Sequence, residues 1–257
     1  MTEQLPLLFP LRTIRDVLIF QLDRGKALVI GCDSAGAIGP KPLDIVKVDA
    51  HTLGKITARV ALMEVLSTGA KPVCVVDALS VEPEPTGKEI LAGVRDEAKK
   101  AGLDPELAVM GSSEKNFAVK QTGIGVTVIG IIDTALLKIG VSKPEDIVVA
   151  VGVPCVGDEV LHAEKLGKTA NVSDVLTLRE LNFVHEIIPV GSEGVTREIR
   201  ILAESSKLNF KFEKQTRVDV KKSAGPATVL LASLPEANLV EVKRAINKPI
   251  TVVGRLL

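Results

Sequence analysis

The hydrophobic pattern of the chain alternates between strand-like runs and helical stripes. Residues 27–31 are a short apolar run closed by Gly31, which predicts a buried strand. A loop with Gly36, Gly39, Pro40 and Pro42 follows. Residues 52–68 predict a helix stopped by Gly69 and Pro72, and the β-branched run 72–79 predicts a strand. In 87–101, Ile90, Leu91, Val94 and Ala98 form the apolar stripe of an amphipathic helix that Gly102 ends. Residues 107–111 and 125–133 read as two more strands. The turn-like Ser142-Lys143-Pro144-Glu145-Asp146 then precedes a strand at 147–152. Beyond it, helices are expected at 158–166, 173–186 and 195–208, and strands at 227–232 and 250–253 with a helix at 235–246 between them. Asp16, after Arg12 and Arg15, reads as starting or punctuating an N-terminal helix. Interleaved strands and helices in both halves predict an α/β (α+β) protein of two subdomains, 1–140 and 141–257.

Composition narrows the function classes. The chain has 257 residues, no Trp, no Tyr and six Phe, so base-stacking surfaces are scarce and a single-strand nucleic-acid binder is disfavoured. Lys plus Arg equals Asp plus Glu, 32 each, which leaves no bulk basic field for a polyanion. Cys32, Cys74 and Cys155 are scattered with no C-x-x-C pair, which fits a reducing compartment better than a zinc site. The apolar patch ahead of Arg12 has no cleavage signal behind it, and runs such as 147–153 are too short to span a bilayer. The expectation is a cytoplasmic protein with neither a membrane nor a nucleic-acid partner.

Four constellations can carry chemistry. Gly31-Cys32-Asp33-Ser34-Ala35-Gly36 places an acid directly after a strand and before small residues, a geometry that holds Mg²⁺ near phosphates while backbone N–H groups approach the anion. The same residues also read as an Asp capping a turn. On the 52–68 helix, Glu64 shares a face with Thr57, Val60, Ala61 and Thr68 and has no basic residue four positions away. Leu62, Met63, Val65 and Leu66 fill the rest of the circumference. A carboxylate so placed needs a metal, a donor or a proton, unless it sits at an exposed edge. Gly111-Ser112-Ser113-Glu114-Lys115-Asn116 runs from a strand into phosphate-friendly residues and an acid able to hold Mg²⁺, or is an ordinary polar turn. Gln121-Thr122-Gly123-Ile124-Gly125 opens a strand with two glycines, as close backbone approach demands. It is not a dinucleotide fingerprint, because a strand follows, and no Walker-type Gly-Lys-Ser/Thr motif exists. His51, His162 and His185 form no catalytic triad or His-x-x-x-His pattern.

Taken in order, these pieces resemble the aminoimidazole-ribonucleotide-synthetase-like superfamily of ATP-using enzymes. Val29 to Asp33 resembles its strand ending in Asp. Met63-Glu64-Val65-Leu66-Ser67-Thr68-Gly69-Ala70-Lys71-Pro72 resembles its long helix with Gly-Ala-x-Pro. Asp77 falls where many members carry an acid, Gly111-Ser112-Ser113-Glu114 resembles the Gly-Gly-Asp/Glu-Thr turn, and 127–133 resembles the closing strand. The second half matches more loosely, through Lys143-Pro144-Glu145-Asp146 and Ser192-Glu193-Gly194. Lys222-Ser223-Ala224-Gly225-Pro226 lacks both acids of the family's Gly-Glu-Asp turn, and only Asp16 stands in for the acidic N-terminal arm of several members.

The short length, the absence of a C-terminal cysteine after Gly254-Arg255-Leu256-Leu257, and the lack of the Asp-Asp signature of thiamine-monophosphate kinase make the chain look most like the α-ribazole kinase group. That resemblance implies an N-terminal mixed sheet that pairs into a barrel in a homodimer, and a C-terminal α/β sandwich. It implies an ATP- and Mg²⁺-dependent kinase phosphorylating a riboside 5′-hydroxyl, α-ribazole, in cobamide salvage. Asp33, Glu64 and Glu114 are its implied metal set, with Asp44 a further acid. Lys47, Ser34, Gly36, Gly111, Ser112, Ser113 and Asn116 would contact nucleotide, Asp33 and Glu114 would serve catalysis, and Asp16, on the arm that covers the nucleotide in relatives, is the candidate general base. Other expectations are a thiamine-monophosphate-type or other ATP-dependent activity, and a nucleotide sensor that kept the fold and lost the chemistry.

Overall fold

The computed structural model describes residues 11–257; the apolar patch ahead of Arg12 lies mostly in 1–10, outside the described residues. Three antiparallel strands come first: β1 (Leu11–Ile14), β2 (Val17–Gln21) and β3 (Lys26–Gly36). A loop carrying the small pair β4 (Ile38–Gly39) and β5 (Val46–Lys47) leads into α1 (Ala50–Ser67). Then follow β6 (Lys71–Leu79), α2 (Lys88–Lys100), the single turn α3 (Pro105–Ala108), β7 (Val109–Ser113) and β8 (Gly123–Asp133). The first sheet has the order β1-β2-β3-β8-β6-β7, with only β6 and β7 parallel.

The second half comprises β9 (Ile147–Gly152), α4 (Asp158–Lys165), α5 (Val172–Glu180), β10 (Glu186–Pro189), α6 (Val195–Ser205), β11 (Phe210–Phe212), β12 (Val229–Leu234), α7 (Leu239–Ala245) and β13 (Ile250–Leu256). Its sheet runs β10-β12-β9-β13-β11, antiparallel throughout. β9 and β12 are buried on both faces, and strand alternation sorts them between two cores. Ile147, Val149 and Val151 join a cluster that reaches across to the first sheet, whereas Val148 and Ala150 pack with Ile199 and Leu202 of α6. The molecule is thus a mixed α/β fold of two sheets with α1 between them.

Helix α1 starts where Asp49 accepts a hydrogen bond from the Thr52 N–H (2.8 Å) and ends before Gly69, whose φ of +93° suits a residue without Cβ. It is buried on nearly every side, since the first sheet, α2, α5 and β10 all pack on it.

Four expectations change. β3 continues past Gly31 to Gly36, because β8 pairs along its whole length as far as Gly36 opposite Gly123, so Asp33 and Ser34 lie in a strand rather than a loop. Arg15 and Asp16 form the turn of the β1–β2 hairpin, with Arg15 at φ 54°, and not a helix start. The helix expected to reach 186 stops at Glu180, because Glu186 opens β10, which pairs with β12. Residues 107–108 close the α3 turn, so the strand expected from 107 begins at Val109.

Helices α1 and α2 cross at two glycines. A Cβ on Gly54 would stand 2.0 Å from the Ile90 carbonyl oxygen, and one on Gly93 would stand 2.0 Å from that of His51. Gly54→Ala and Gly93→Ala must force the helices apart, at a cost of about 1–3 kcal/mol each, as overpacking generally does. Urea unfolding should show a lower midpoint at unchanged slope for both variants.

Candidate active site

The site begins with alternation along β3. Ala27, Val29, Gly31 and Asp33 face α1, whereas Cys32 and Ser34 face the other way and are exposed. Gly31 is the close-approach point: a Cβ there would lie 3.1 Å from Val65 Cγ2 and 3.3 Å from Glu64 Cβ. Its absence lets α1 press onto the strand and brings Glu64 to the end of the strand where Asp33 stands. The β1–β2 turn delivers Arg15 and Asp16 to the same place. Arg15, Asp16, Asp33 and Glu64 line one cavity of about 640 Å³, closed on the far side by Gly191, Ser192, Gly225 and Pro226 of the second half.

Charge is unbalanced there. Glu64 is only 5% exposed and its carboxylate accepts no hydrogen bond among the described residues. Burial pushes its pKa well above the ordinary glutamate range, Asp16, Glu198 and Asp33 raise it further, and Arg15 opposes them. Asp33 is pushed up to about 6, mainly by burial, against a hydrogen bond from the Ser34 N–H and with Asp16 adding to the rise. Glu198 of α6 is 4% exposed, likewise accepts no hydrogen bond among the described residues, and is pushed up to about 7 by burial first and Asp16 next. The guanidinium of Arg15 is itself lowered to about 10 by burial, against the pull of Glu64 and Glu198. Arg15 is fixed from the second half: it pairs with the Glu186 carboxylate and donates to the Ile187 carbonyl at 2.8 Å. Glu186 in turn accepts from the N–H groups of Gly140, Val141 and Ser142 and from the Ser142 hydroxyl.

A second cavity of about 300 Å³ adjoins the first, sharing Asp33, Gly225 and Pro226. Ser34 and Gly36 line it, but its walls are chiefly aliphatic, among them Val48, Leu53, Ile56, Val160 and Leu161, and no cationic side chain among the described residues lines it.

The remaining expected residues stand elsewhere. Asp44 accepts from the Lys41 and Thr122 N–H groups (2.8 and 2.7 Å) and from the Thr122 hydroxyl (2.6 Å), which pins the 40–47 loop to the start of β8. Lys47 Nζ donates to the Lys41 and Pro42 carbonyls of that loop. Glu114 accepts from the N–H groups of Asn116 and Phe117, closing a turn, and lines neither cavity. Gly111, Ser112 and Ser113 lie in β7, paired with Asp77, Ala78 and Leu79. Gly111 has a packing reason, because a Cβ there would meet Asp77 Oδ1 at 1.3 Å. The structure therefore brings Asp16, Asp33 and Glu64 together and leaves Glu114, Asn116, Asp44 and Lys47 in local structural bonds.

Sequence reasoning missed Glu198 and Arg15. Glu198 carried a signal, because it interrupts the apolar stripe of Val195, Ile199 and Leu202 on α6. Arg15 carried none, since its partner Glu186 is 171 residues away.

Among the described residues no group of three or more His, Cys, Asp and Glu side chains forms a ready metal cage. That suits Mg²⁺ held jointly by one or two carboxylates and nucleotide phosphates, as it commonly is, and not an all-protein site. Glu64, whose carboxylate accepts no hydrogen bond among the described residues, and Asp33, held only by the Ser34 N–H, fit the protein share.

The raised carboxylates set the pH dependence of stability. Their pKa values are higher folded than unfolded, so the folded chain binds more protons between about pH 4 and the raised values. The stability they contribute is complete at low pH and is lost as pH rises through about 6 and 7. Metal-free protein should therefore melt at a lower temperature at pH 8 than at pH 5.5, over and above any loss from other groups. Glu64→Gln should flatten that fall and raise the midpoint at pH 8 in a calorimetric scan.

Comparison with known proteins bears on the fold. The family described as AIR synthase related protein, N-terminal domain, matches residues 15–132. A search of curated protein sequences gives no match. In structure, the chain resembles the thiamine-monophosphate kinase from Stenotrophomonas maltophilia K279a at a TM-score of 0.63 and 17% identity, over 96% of this chain and 88% of that one. AaThiL complexed with AMPPCP and TMP superposes at a TM-score of 0.60 and 14% identity, over 94% and 84% of the two chains. T. maritima PurL complexed with ADP does so at 0.64 and 16% identity, over 96% of this chain and 43% of that one. At such identities the structural likeness establishes the fold, and the sequence family covers the segment that supplies Asp16, Asp33 and Glu64. Residues 15–132 thus match that family's N-terminal domain, and the chain as a whole shares the fold of these structures.

Proposed function

We propose that this protein is a Mg²⁺-dependent ATP phosphotransferase whose acceptor is a riboside hydroxyl, with α-ribazole the best candidate. The observation that carries this reading is the convergence of Asp16, Asp33 and Glu64, with too few donors and a single nearby guanidinium to neutralise them, on a cavity beside an aliphatic one. Unpaired buried carboxylates are costly, and the cost is explained by a cationic ligand. We assign the metal to Asp33 and Glu64 and not to Glu114 or Asp44, whose oxygens already serve loop N–H groups. Mg²⁺ bound there would neutralise phosphate oxygens during transfer. Asp33 and Glu64 orient it, Asp16 stands at the cavity mouth, and the aliphatic cavity excludes water and positions the acceptor's base.

The similar structure of AaThiL is complexed with AMPPCP and TMP, and thiamine monophosphate is the alternative acceptor. The aliphatic cavity favours an uncharged base, since no cationic side chain there would meet a phosphate monoester. ATP consumption should be stimulated by α-ribazole more than by thiamine monophosphate or other ribosides, with a product heavier by one phosphoryl group. ATP binding without turnover on any acceptor would instead identify a sensor. Asp33→Asn should lower Mg²⁺-dependent turnover at least tenfold, and full activity in that variant would refute the metal assignment.

The outer face of the first sheet presents Leu28, Ile30, Cys74, Val76, Ile129 and Ile131, all partly exposed and alternating with buried residues. No helix among the described residues is long and apolar enough to cross a membrane, so a membrane-spanning helix does not account for this face. A second copy of the chain covering it is the proposed assembly. Sedimentation should give a homodimer, and Ile129→Asp combined with Val76→Asp should give a folded monomer.

A further inference from the structure

Glu198 has no task in the fold. It belongs to α6 of the second half, its side chain is 4% exposed, and no hydrogen bond or ion pair engages it among the described residues. A polar cavity of about 270 Å³ receives it, lined also by Asp16, Ser192, Glu193 and Arg197, and this cavity joins the metal-side cavity through Arg15, Asp16, Gly191 and Ser192. A carboxylate buried without a donor is selected against unless something else uses it.

We propose that Glu198 is the general base that takes the proton from the acceptor hydroxyl during phosphoryl transfer, an inference that rests on the phosphotransferase reading above. The hydroxyl oxygen forms a bond to the γ-phosphorus, and the bond from that phosphorus to the β–γ bridging oxygen breaks. ADP leaves with the bonding pair, and the hydroxyl proton moves to a Glu198 oxygen, from which it passes to solvent. The other acids are less suited. Asp33 and Glu64 are committed to a cation, which removes their basicity, and Asp16 is exposed to water. Glu198 shares no hydrogen bond with either metal-side carboxylate.

The charged groups facing Glu198 set when it can act. Asp16 on the β1–β2 turn, Glu193 ahead of α6 and Glu64 on α1 disfavour its ionisation, while Arg197 on α6 and Arg15 favour it; Glu204 also lines the cavity. Burial outweighs the two cations and raises its pKa to about 7, close to the operating range of an effective general base.

The test is the pH–rate profile of the full chain with ATP, Mg²⁺ and α-ribazole. Wild-type kcat should rise with pH through about 7 and then level, as the carboxylate form is populated. Glu198→Gln should lower kcat by about 10²–10⁴-fold, abolish that rise and leave the KM for ATP unchanged. Glu198→Asp, one methylene shorter, should keep the rise at reduced kcat. Melting of each variant reports folding separately, and Glu198→Gln should be at least as stable as wild type at pH 8, since it removes an uncompensated buried charge. Full kcat with an unaltered profile in Glu198→Gln overturns the base assignment and leaves the phosphotransferase reading intact. Rescue of Glu198→Gln by raised Mg²⁺ also overturns it, by making Glu198 a metal ligand. A wild-type protein that transfers phosphate to no hydroxyl overturns the phosphotransferase reading and this role with it.

Discussion

One region of this protein holds four carboxylates and a single buried guanidinium. Glu64 and Glu198 are removed from water, Asp33 is half-buried, Asp16 stands at the cavity edge, and Arg15 is the cation among them. Desolvation alone disfavours such charges, and crowding them multiplies the penalty. A fold that keeps them together does so against its own stability. In the proposed function that crowding serves a bound cation and proton chemistry.

The architecture that enforces the crowding is built from non-electrostatic parts. Gly31 removes one side chain, and α1 comes down onto β3. Gly54 and Gly93 let α2 lock α1 from behind. The second sheet closes over α1 from the other side, so Glu64 cannot swing into solvent. The Arg15–Glu186 pair crosses between the halves and holds the hairpin turn that carries Asp16. With Glu186 itself fastened by three backbone N–H groups, the turn is attached to a rigid frame. The site exists only as a joint product of both halves: acids from the first, and walls and Glu198 from the second.

The enzyme and sensor readings differ in what they make of Glu198. A nucleotide sensor needs the cation-binding acids and has no use for a buried acid on the opposite wall. A phosphotransferase with a hydroxyl acceptor needs both. The loop at Lys222–Pro226, which lacks the acids expected there by resemblance, still borders the site through Gly225 and Pro226. It contributes shape to the cavity wall in place of charge.

Local sequence was enough to establish the apolar strands around residues 29, 75, 128 and 149, the buried helix bearing Glu64 and the amphipathic helix after Gly87, because period-2 and period-3.6 patterns record which face meets the core. It also singled out Asp33 and Glu64, through an acid at a strand end and an acid with no helical partner. It could not decide that β3 runs on to Gly36, that residues 181–185 leave the helix, or that Arg15 sits in a hairpin. Those outcomes depend on β8, on β12 and on Glu186, partners far away along the chain. The same reason separates Asp16, Asp33 and Glu64 from Glu114 and Asp44. Nothing local ranks these five acids, and only the packing of α1 against β3 and the place of the β1–β2 turn decide which of them face one another.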